Sequence, residues 1–370
     1  MKRIYITVTN DLVTDNRIHK VACTLLKSGA NVTLIGRKKT GSLQILDKPY
    51  QTKRFKLLFE RGFGFYLEYN IRLFFYLLFR RANVIIANDL DTLLGSYIAS
   101  FFKSVELVYD SHEYFTEVPE LVNRKIPRKV WTLIEKTILP RIKYSYTVCE
   151  SIAQIYNDLY GINMKVVRNV PYYINRAIPE KEYKNDSKLI LYQGALNVGR
   201  GLEHIIDAMQ FLDDAKLQII GDGDITEQLK ERIIKKGLSD KVELTGKIPF
   251  EELLAYTFKA DLGIALEENI GLNYYYALPN KLFDYIQAGI PVLVSPFPEM
   301  QKIVNKYDIG TIYEHKTPEL LAKKIMEIFN LEIPYNKWKE NTALAAKDLC
   351  WENEEKILIQ IYSQLGLHFK

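Results

Sequence analysis

Apolar residues recur along this chain in two rhythms, short unbroken runs and helical stripes, and their alternation sets the fold class. Lys2–Val8 reads as a buried strand, and Ile18, Val21, Ala22, Leu25 and Leu26 then follow the i, i+3, i+4, i+7, i+8 template of a helix. Ser28-Gly29 closes that helix and Asn31–Ile35 is a second strand. A strand–helix–strand opening implies a parallel sheet with helices on its faces. Three later strands end in polar groups: Val84–Ala87 in Asn88-Asp89, Leu107–Tyr109 in Asp110-Ser-His-Glu113, and Tyr146–Cys149 in Glu150-Ser151. Lys165–Val170 is a short strand stopped by Pro171, and the polar run Pro179–Ser187 is the best linker. A second alternating series follows, with strands at Leu189–Tyr192, Lys216–Ile220, Val242–Gly246, Leu262–Leu266 and Ile290–Val294. Amphipathic helices at Pro318–Phe329 and about Thr342–Gln364 close the chain.

Ligands of open α/β sheets bind beyond the carboxyl ends of the strands, so the polar strand ends are the candidate site. In the first half these are Asn10, Asp11 and Asp15, then Asn88, Asp89, Asp110 and Glu113. Asp15 also reads as a helix N-cap. His112 is the one histidine at such an edge, beside two carboxylates, where a structural and a functional role are both open. The first turn, Thr9–Asn16, contains no glycine, so the dinucleotide fingerprint is absent and an NAD enzyme is disfavoured.

The densest chemistry lies in Ala277–Val292. Pro279 suits a helix start and Gly289 a helix stop, with Leu282, Phe283 and Ile286 on the apolar face between them. Asn280 and Lys281 then occupy a helix N-terminus, which favours an anion. Asp284 lies one turn on, suited to a hydroxyl pair such as a ribose. A capped helix with a solvated Lys and Asp is the plain alternative. Gln193–Gly201 is a glycine-rich turn between strand and helix, with Arg200 available as a counter-charge for phosphate. Gly221-Asp-Gly223, Lys247 and Glu267-Glu268-Asn269 stand at the next strand ends.

Composition narrows the class. The 370 residues are 48% hydrophobic and 26% charged, as in a globular chain of two ordinary domains. Three cysteines without metal spacing fit a reducing compartment. A strand that starts at Met1 leaves no room for a signal peptide, and no apolar run nears the roughly 18 residues of a membrane span. The expectation is a cytoplasmic protein. Residues 1–170 hold 26 Lys+Arg against 15 Asp+Glu (+11) and the rest 24 against 30 (−6), which sum to the net +5. No nucleic-acid signature accompanies the basic half, so an anionic membrane surface is its better partner. Residues 53–81 combine seven Lys/Arg, two Glu and ten Phe/Tyr. Within them Tyr66–Arg81 reads as a core helix with basic ends, and the loop from Lys53-Arg-Phe-Lys56 to Phe65 as the candidate for lipid contact.

Gly194…Arg200-Gly201, Gly221-Asp-Gly223, Val242…Gly246, Asp284…Gly289-Ile-Pro291, Asp15-Asn-Arg17 and Asp110-Ser-His-Glu113 together resemble the retaining glycosyltransferases of family 4, glycosyl transferases group 1. The resemblance covers nearly the whole chain. It implies the GT-B fold, two Rossmann-like parallel-sheet domains facing each other across a cleft. The acceptor-side domain would be 1–172, joined by the C-terminal helix of about 345–370, and the nucleotide-sugar domain 186–344. Donor-side residues would be Gly194, Arg200 and Lys281 at the diphosphate, with Gly221, and with Asn280 and Leu282 through backbone. Asp284 would hold the ribose and Lys247 would lie near the base. His112 resembles the histidine near the transferred sugar. The chain departs from the family at Ala195, where an arginine is common, and at Tyr276, where the first of two paired acids is expected. Glu267, Glu268 or Asn273 would then contact the sugar.

The activity implied is transfer from a nucleotide-diphosphate sugar to a glycan or lipid-linked glycan, in surface polysaccharide or lipopolysaccharide synthesis, peripheral at the inner membrane face. No cofactor and no metal is expected, because no acidic cluster of the metal-binding type stands in place and positive side chains replace it. An epimerase on the same fold and a non-catalytic interaction protein are the alternatives.

Overall fold

The computed structural model describes residues 1–13, 15–45, 47–175, 187–314 and 316–369; all of the linker run but Ser187, and His315, lie outside them. The chain divides into two compact units, Met1–Asn169 with Glu354–Lys370, and Val170–Asn353.

The first unit is built on β1 (Arg3–Thr7), β2 (Asn31–Lys38), β3 (Gln51–Lys56), β4 (Val84–Asn88), β5 (Glu106–Ser111), β6 (Tyr144–Thr147) and β7 (Lys165–Val166). They form one sheet in the order β3-β2-β1-β4-β5-β6-β7, and every pair is parallel. The strand order reverses between β1 and β4, so the loops that follow these two strands flank a ready-made crevice.

Two expectations are corrected in this unit. Lys53–Lys56 is not loop but part of edge strand β3, paired with β2 from Gln51–Thr33 to Lys56–Lys38. Only Phe55 points inward, and the exposed lysines blunt the free edge, so the strand shows no apolar run to find. The helix expected at Tyr66–Arg81 spans Gly62–Leu78. Glu68 on this helix ties the preceding loop to it, its carboxylate accepting from the amides of Leu58 and Phe59. Phe65, Tyr69, Leu73 and Leu77 are buried, while Leu67, Ile71 and Phe75 form an outward apolar stripe four residues apart.

The second unit carries β8 (Lys188–Gln193), β9 (Ala215–Ile220), β10 (Val242–Gly246), β11 (Leu262–Ala265), β12 (Val292–Val294) and β13 (Gly310–Ile312). Its order is β10-β9-β8-β11-β12-β13, again all parallel, with the reversal between β8 and β11. Alternate residues enter separate cores: Ile190 and Tyr192 one, Leu191 and Ile220 the other. A sheet buried on both faces explains why its strands read as unbroken apolar runs. The single helix expected near Thr342–Gln364 is two, Glu332–Asp348 and Trp351–Ser363. Leu349 leaves the helical region at ψ 63°, and the Asn353 side chain caps the first helix by donating to the carbonyls of Lys347 and Asp348.

Candidate active site

In the second unit the helix Asn280–Ala288 begins beyond the end of β11, on Pro279, with no side chain capping it. Gly289 at φ 73° closes it, as the sequence implies. Tyr285 anchors it from below, its hydroxyl donating to the carbonyls of Leu191 and Ile264 and accepting from the amide of Gln193. The helix is buried on nearly every side, so Lys281 is only 7% exposed.

Lys281 Nζ lies 2.8 Å from Glu267 Oε1 and 4.2 Å from the centre of the Tyr192 ring. Arg200 Nη1 stands 3.5 Å from the same oxygen, its guanidinium 4.8 Å over Tyr274. Glu267 is fully buried, and its second oxygen, Oε2, has no hydrogen-bond partner. Burial pushes its carboxyl up, but Lys281 and Arg200 outweigh this and hold it below the usual range. Two cations and one anion leave the cluster with a net charge of +1, at the point where the strand order reverses.

Glycine is required where backbones approach. Gly194 sits at φ 137°, and a Cβ there would come 3.5 Å from the Lys281 side chain. Gly221, at φ 146°, passes so close that a Cβ would lie 1.8 Å from the Gly194 carbonyl oxygen.

Asp284 Oδ2 accepts from Gln193 Nε2 at 2.9 Å, and Gln193 Oε1 accepts from Thr257 at 2.8 Å. Gln193 and Thr257 join the candidate site through these bonds, and neither was named as a site candidate from the sequence. Gln193 is the polar last residue of β8, the same signal that singled out Asn88. Lys247 is exposed and pairs with Asp222 at 3.3 Å. Asn280 is exposed at the helix start and Leu282 is fully buried. Glu268 is half-buried, with its carboxyl pushed up by burial. Asn273 lies on the short helix Leu272–Tyr275, which Tyr276 ends.

The first unit gathers a second cluster at its own reversal. Asp15 is the N-cap of helix Asn16–Lys27, accepting from the Ile18 amide, and Asn10 donates to its other oxygen. Arg17, 3% exposed, meets Asp110 through Nη2 at 2.7 Å, inside the unit. Asp110 is fully buried on β5. Burial raises its carboxyl, yet Arg17 and His112 hold it at about 2. His112 Nε2 is 3.3 Å from Asp110, and Nδ1 is 3.3 Å from Asp89. Burial lowers the imidazole, but the two carboxylates more than offset it and raise its pKa to about 9. Asp89 also accepts from the His112 amide at 2.8 Å and takes φ 58°, a strained angle for a non-glycine. Asn88 donates to the Thr7 carbonyl, and the Glu113 carbonyl accepts from Ser111. Asp91, not foreseen from sequence, accepts from Thr9 and is pushed up to about 7, first by burial and then by Asp89.

Among the described residues no group of three or more His, Cys, Asp or Glu is placed to hold a metal ion. Among them, too, no helix is long and apolar enough to cross a membrane.

Residues 174–344, which contain the Arg200–Glu267–Lys281 cluster and Asp284, match the family described as Glycosyl transferases group 1. Two uncharacterized glycosyltransferases of Methanocaldococcus jannaschii are similar in sequence. One is 24% identical over 193 residues, 52% of each chain, and the other 26% identical over 189 residues, 48% of this chain and 45% of that one. The chain thus spans about half the length of the curated relatives it matches. Among solved structures, sucrose-phosphate synthase from Thermosynechococcus elongatus has a TM-score of 0.81 at 16% identity, covering 99% of both chains. Anabaena HepE in complex with UDP has a TM-score of 0.72 at 16% identity, covering 99% of this chain and 100% of that one, and HepE has also been solved with UDP-glucose. WaaG, a glycosyltransferase involved in lipopolysaccharide biosynthesis, has a TM-score of 0.72 at 16% identity, covering 97% and 99%. At such identities the likeness is one of fold, and the two parallel-sheet α/β units are those expected of a GT-B chain.

Proposed function

We propose that this chain is a retaining glycosyltransferase that moves a sugar from a nucleoside-diphosphate sugar to a hydroxyl of a glycan or lipid-linked glycan. The observation that carries this reading is the Arg200–Glu267–Lys281 cluster, net positive and built on the buried Glu267 and Lys281, beside the uncapped start of helix Asn280–Ala288. Such a cluster suits a diphosphate, and preorganised positive charge is worth most where charge develops as the diphosphate departs. Asp284, held by Gln193, takes the ribose hydroxyls, and Lys247 with Gly221 lies on the base side. The side chains supply the positive charge, so no metal is invoked.

The bond from the anomeric carbon to the phosphate oxygen breaks, and the acceptor oxygen bonds to the same face of that carbon. The acceptor's proton passes to the leaving phosphate. His112, with its pKa raised to about 9, is already protonated at neutral pH and has no lone pair to offer as a base. This supports a role in orienting sugar hydroxyls. Asn10, Asp89 and Glu113 remain the acceptor-side candidates, while Asp15 and Asp110 act through the helix cap and through His112. Glu268 and Asn273 are the sugar contacts on the donor side.

The test is a thermal-shift panel of UDP, GDP, ADP, CMP and TDP on the wild type and on Asp284→Ala. Saturation at about 100 times Kd is worth roughly 2.7 kcal/mol, several degrees of melting temperature. One nucleotide should respond and the variant should lose the response; silence from all five overturns the donor reading. An inverted anomer in the product would overturn retention. The HepE complexes with UDP and UDP-glucose support trying uridine nucleotides first.

We place the acceptor at an anionic membrane surface, in polysaccharide or lipopolysaccharide assembly. The support is the outward stripe Leu67, Ile71 and Phe75, together with helix Lys125–Ile138, where Ile126, Val130 and Leu133 are exposed. Residues 124–143 hold seven Lys/Arg and one acid, Glu135, which is buried. The chain should sediment with vesicles rich in anionic lipid at low salt and be released by high salt. No binding at low salt would remove the membrane from this proposal.

A further inference from the structure

We infer that Glu267 is a fixed counter-charge that sets the site's preference between intact donor and spent diphosphate, rather than a ligand of the sugar. The inference rests on the donor reading above and assigns a role within that site.

Three observations carry it. The carboxylate has no exposed surface, so it offers no oxygen to a sugar at the site's surface. Its Oε1 is shared by both cations of the cluster, at 2.8 Å and 3.5 Å. Its Oε2 is a buried acceptor with no partner, a costly arrangement that folds tolerate chiefly where it serves function. An ionised, half-satisfied carboxylate behind two phosphate-binding cations lowers the positive potential they present.

The consequence follows from the charges of the two ligands. A nucleoside-diphosphate sugar carries two negative charges on its diphosphate. The free nucleoside diphosphate carries close to three at pH 7.5, because a terminal phosphate loses its second proton near pH 6. Repulsion from Glu267 therefore weighs more on the product than on the donor. A cluster of two cations alone would hold the product hardest and turn over slowly, whereas the counter-charge lets the diphosphate leave. Arg200 and Lys281 bind in the forward direction, and Glu267 makes that binding reversible.

The experiment is calorimetric titration of UDP, UDP-glucose and inorganic pyrophosphate into the wild type, Glu267→Gln and Glu267→Asp. In Glu267→Gln the affinity for UDP should rise about tenfold more than that for UDP-glucose, the size of one unit-charge interaction across several ångströms of protein. Pyrophosphate should tighten with UDP, product inhibition should deepen, and Glu267→Asp should keep the wild-type ratio. A sugar ligand predicts the reverse, UDP-glucose weakened and UDP unchanged, and either that pattern or an unchanged ratio overturns the inference. Pyrophosphate separates the two readings. If uridine nucleotides do not bind but pyrophosphate binds and tightens in Glu267→Gln, the uridine assignment fails and the role of Glu267 stands. If pyrophosphate binds neither protein, the role of Glu267 fails too. Should Glu267→Gln not fold, Arg200→Gln lowers the net charge from the other side. It should weaken UDP about tenfold more than UDP-glucose, and equal weakening overturns the inference.

Discussion

Replacing Lys281 with methionine is expected to lower kcat/KM for glycosyl transfer by about a hundredfold or more, the usual cost of removing one preorganised charge that faces a developing negative one. The fall should appear mainly in kcat, because the charge on the leaving diphosphate is greatest as the sugar departs. The same change should cost stability. Lys281 is the nearer of the two cations on fully buried Glu267, and its loss leaves the carboxylate with Arg200 at 3.5 Å. Breaking a buried pair from one side costs roughly 3–5 kcal/mol, chiefly through the charge left behind. Because burial favours the neutral acid, the deficit should shrink as pH falls and Glu267 takes up a proton. Melting curves at pH 7.5 and pH 5, with initial-rate kinetics on the folded fraction, check both halves. Transfer within threefold of wild type would remove Lys281 from the chemistry, whatever happened to the melting temperature.

Most of the fold was legible because it is carried by runs with no competing signal. β10 starts and stops at the residues expected, since a five-residue segment flanked by helices and closed by glycine leaves little freedom. β3 was not legible, because an edge strand made soluble by lysine loses the apolar alternation that would announce it. The break at Leu349–Cys350 was hidden for another reason. It is made by the Asn353 side chain, and apolar spacing on either side still fits one helix.

The site divides in the same way. Lys281, Arg200 and Asp284 could be nominated because helix starts, glycine turns and strand ends are local features. Their wiring could not. Glu267 is 14 residues from Lys281 along the chain, and Gln193 is 91 from Asp284, so only the folded sheet brings each pair together. Position at a strand end nominated Asp110 as an acceptor-side residue. Its burial against Arg17 makes it a support for His112 instead.

That support leads to the second large effect, a loss of stability in mild alkali. The His112 imidazole has an ordinary pKa near 6.5 in the unfolded chain and about 9 in the folded one, where Asp89 and Asp110 overcome the opposing effect of burial. The folded state therefore holds a proton that the unfolded state releases between these values. The stability this contributes is fully present below pH 6.5 and is lost as pH rises through 9. Its size is about 3 kcal/mol, a large part of the stability of an ordinary domain. The carboxyls leave the window nearly clear, and the Cys23 thiol, raised by burial, adds a fall of the same sign that a His112 variant shares. Asp91 and Glu135, each pushed up to about 7 by burial, have largely titrated by pH 7.5, and Asp110, at about 2, is ionised throughout. Between pH 7.5 and 9.5 the melting temperature of the first unit should fall clearly further in the wild type than in His112→Asn. The imidazole resonance, followed by NMR, should titrate near 9. A midpoint near 6.5 would show that the carboxylates do not hold the charge, and would leave His112 able to act as a general base, with the inverting chemistry which that role requires.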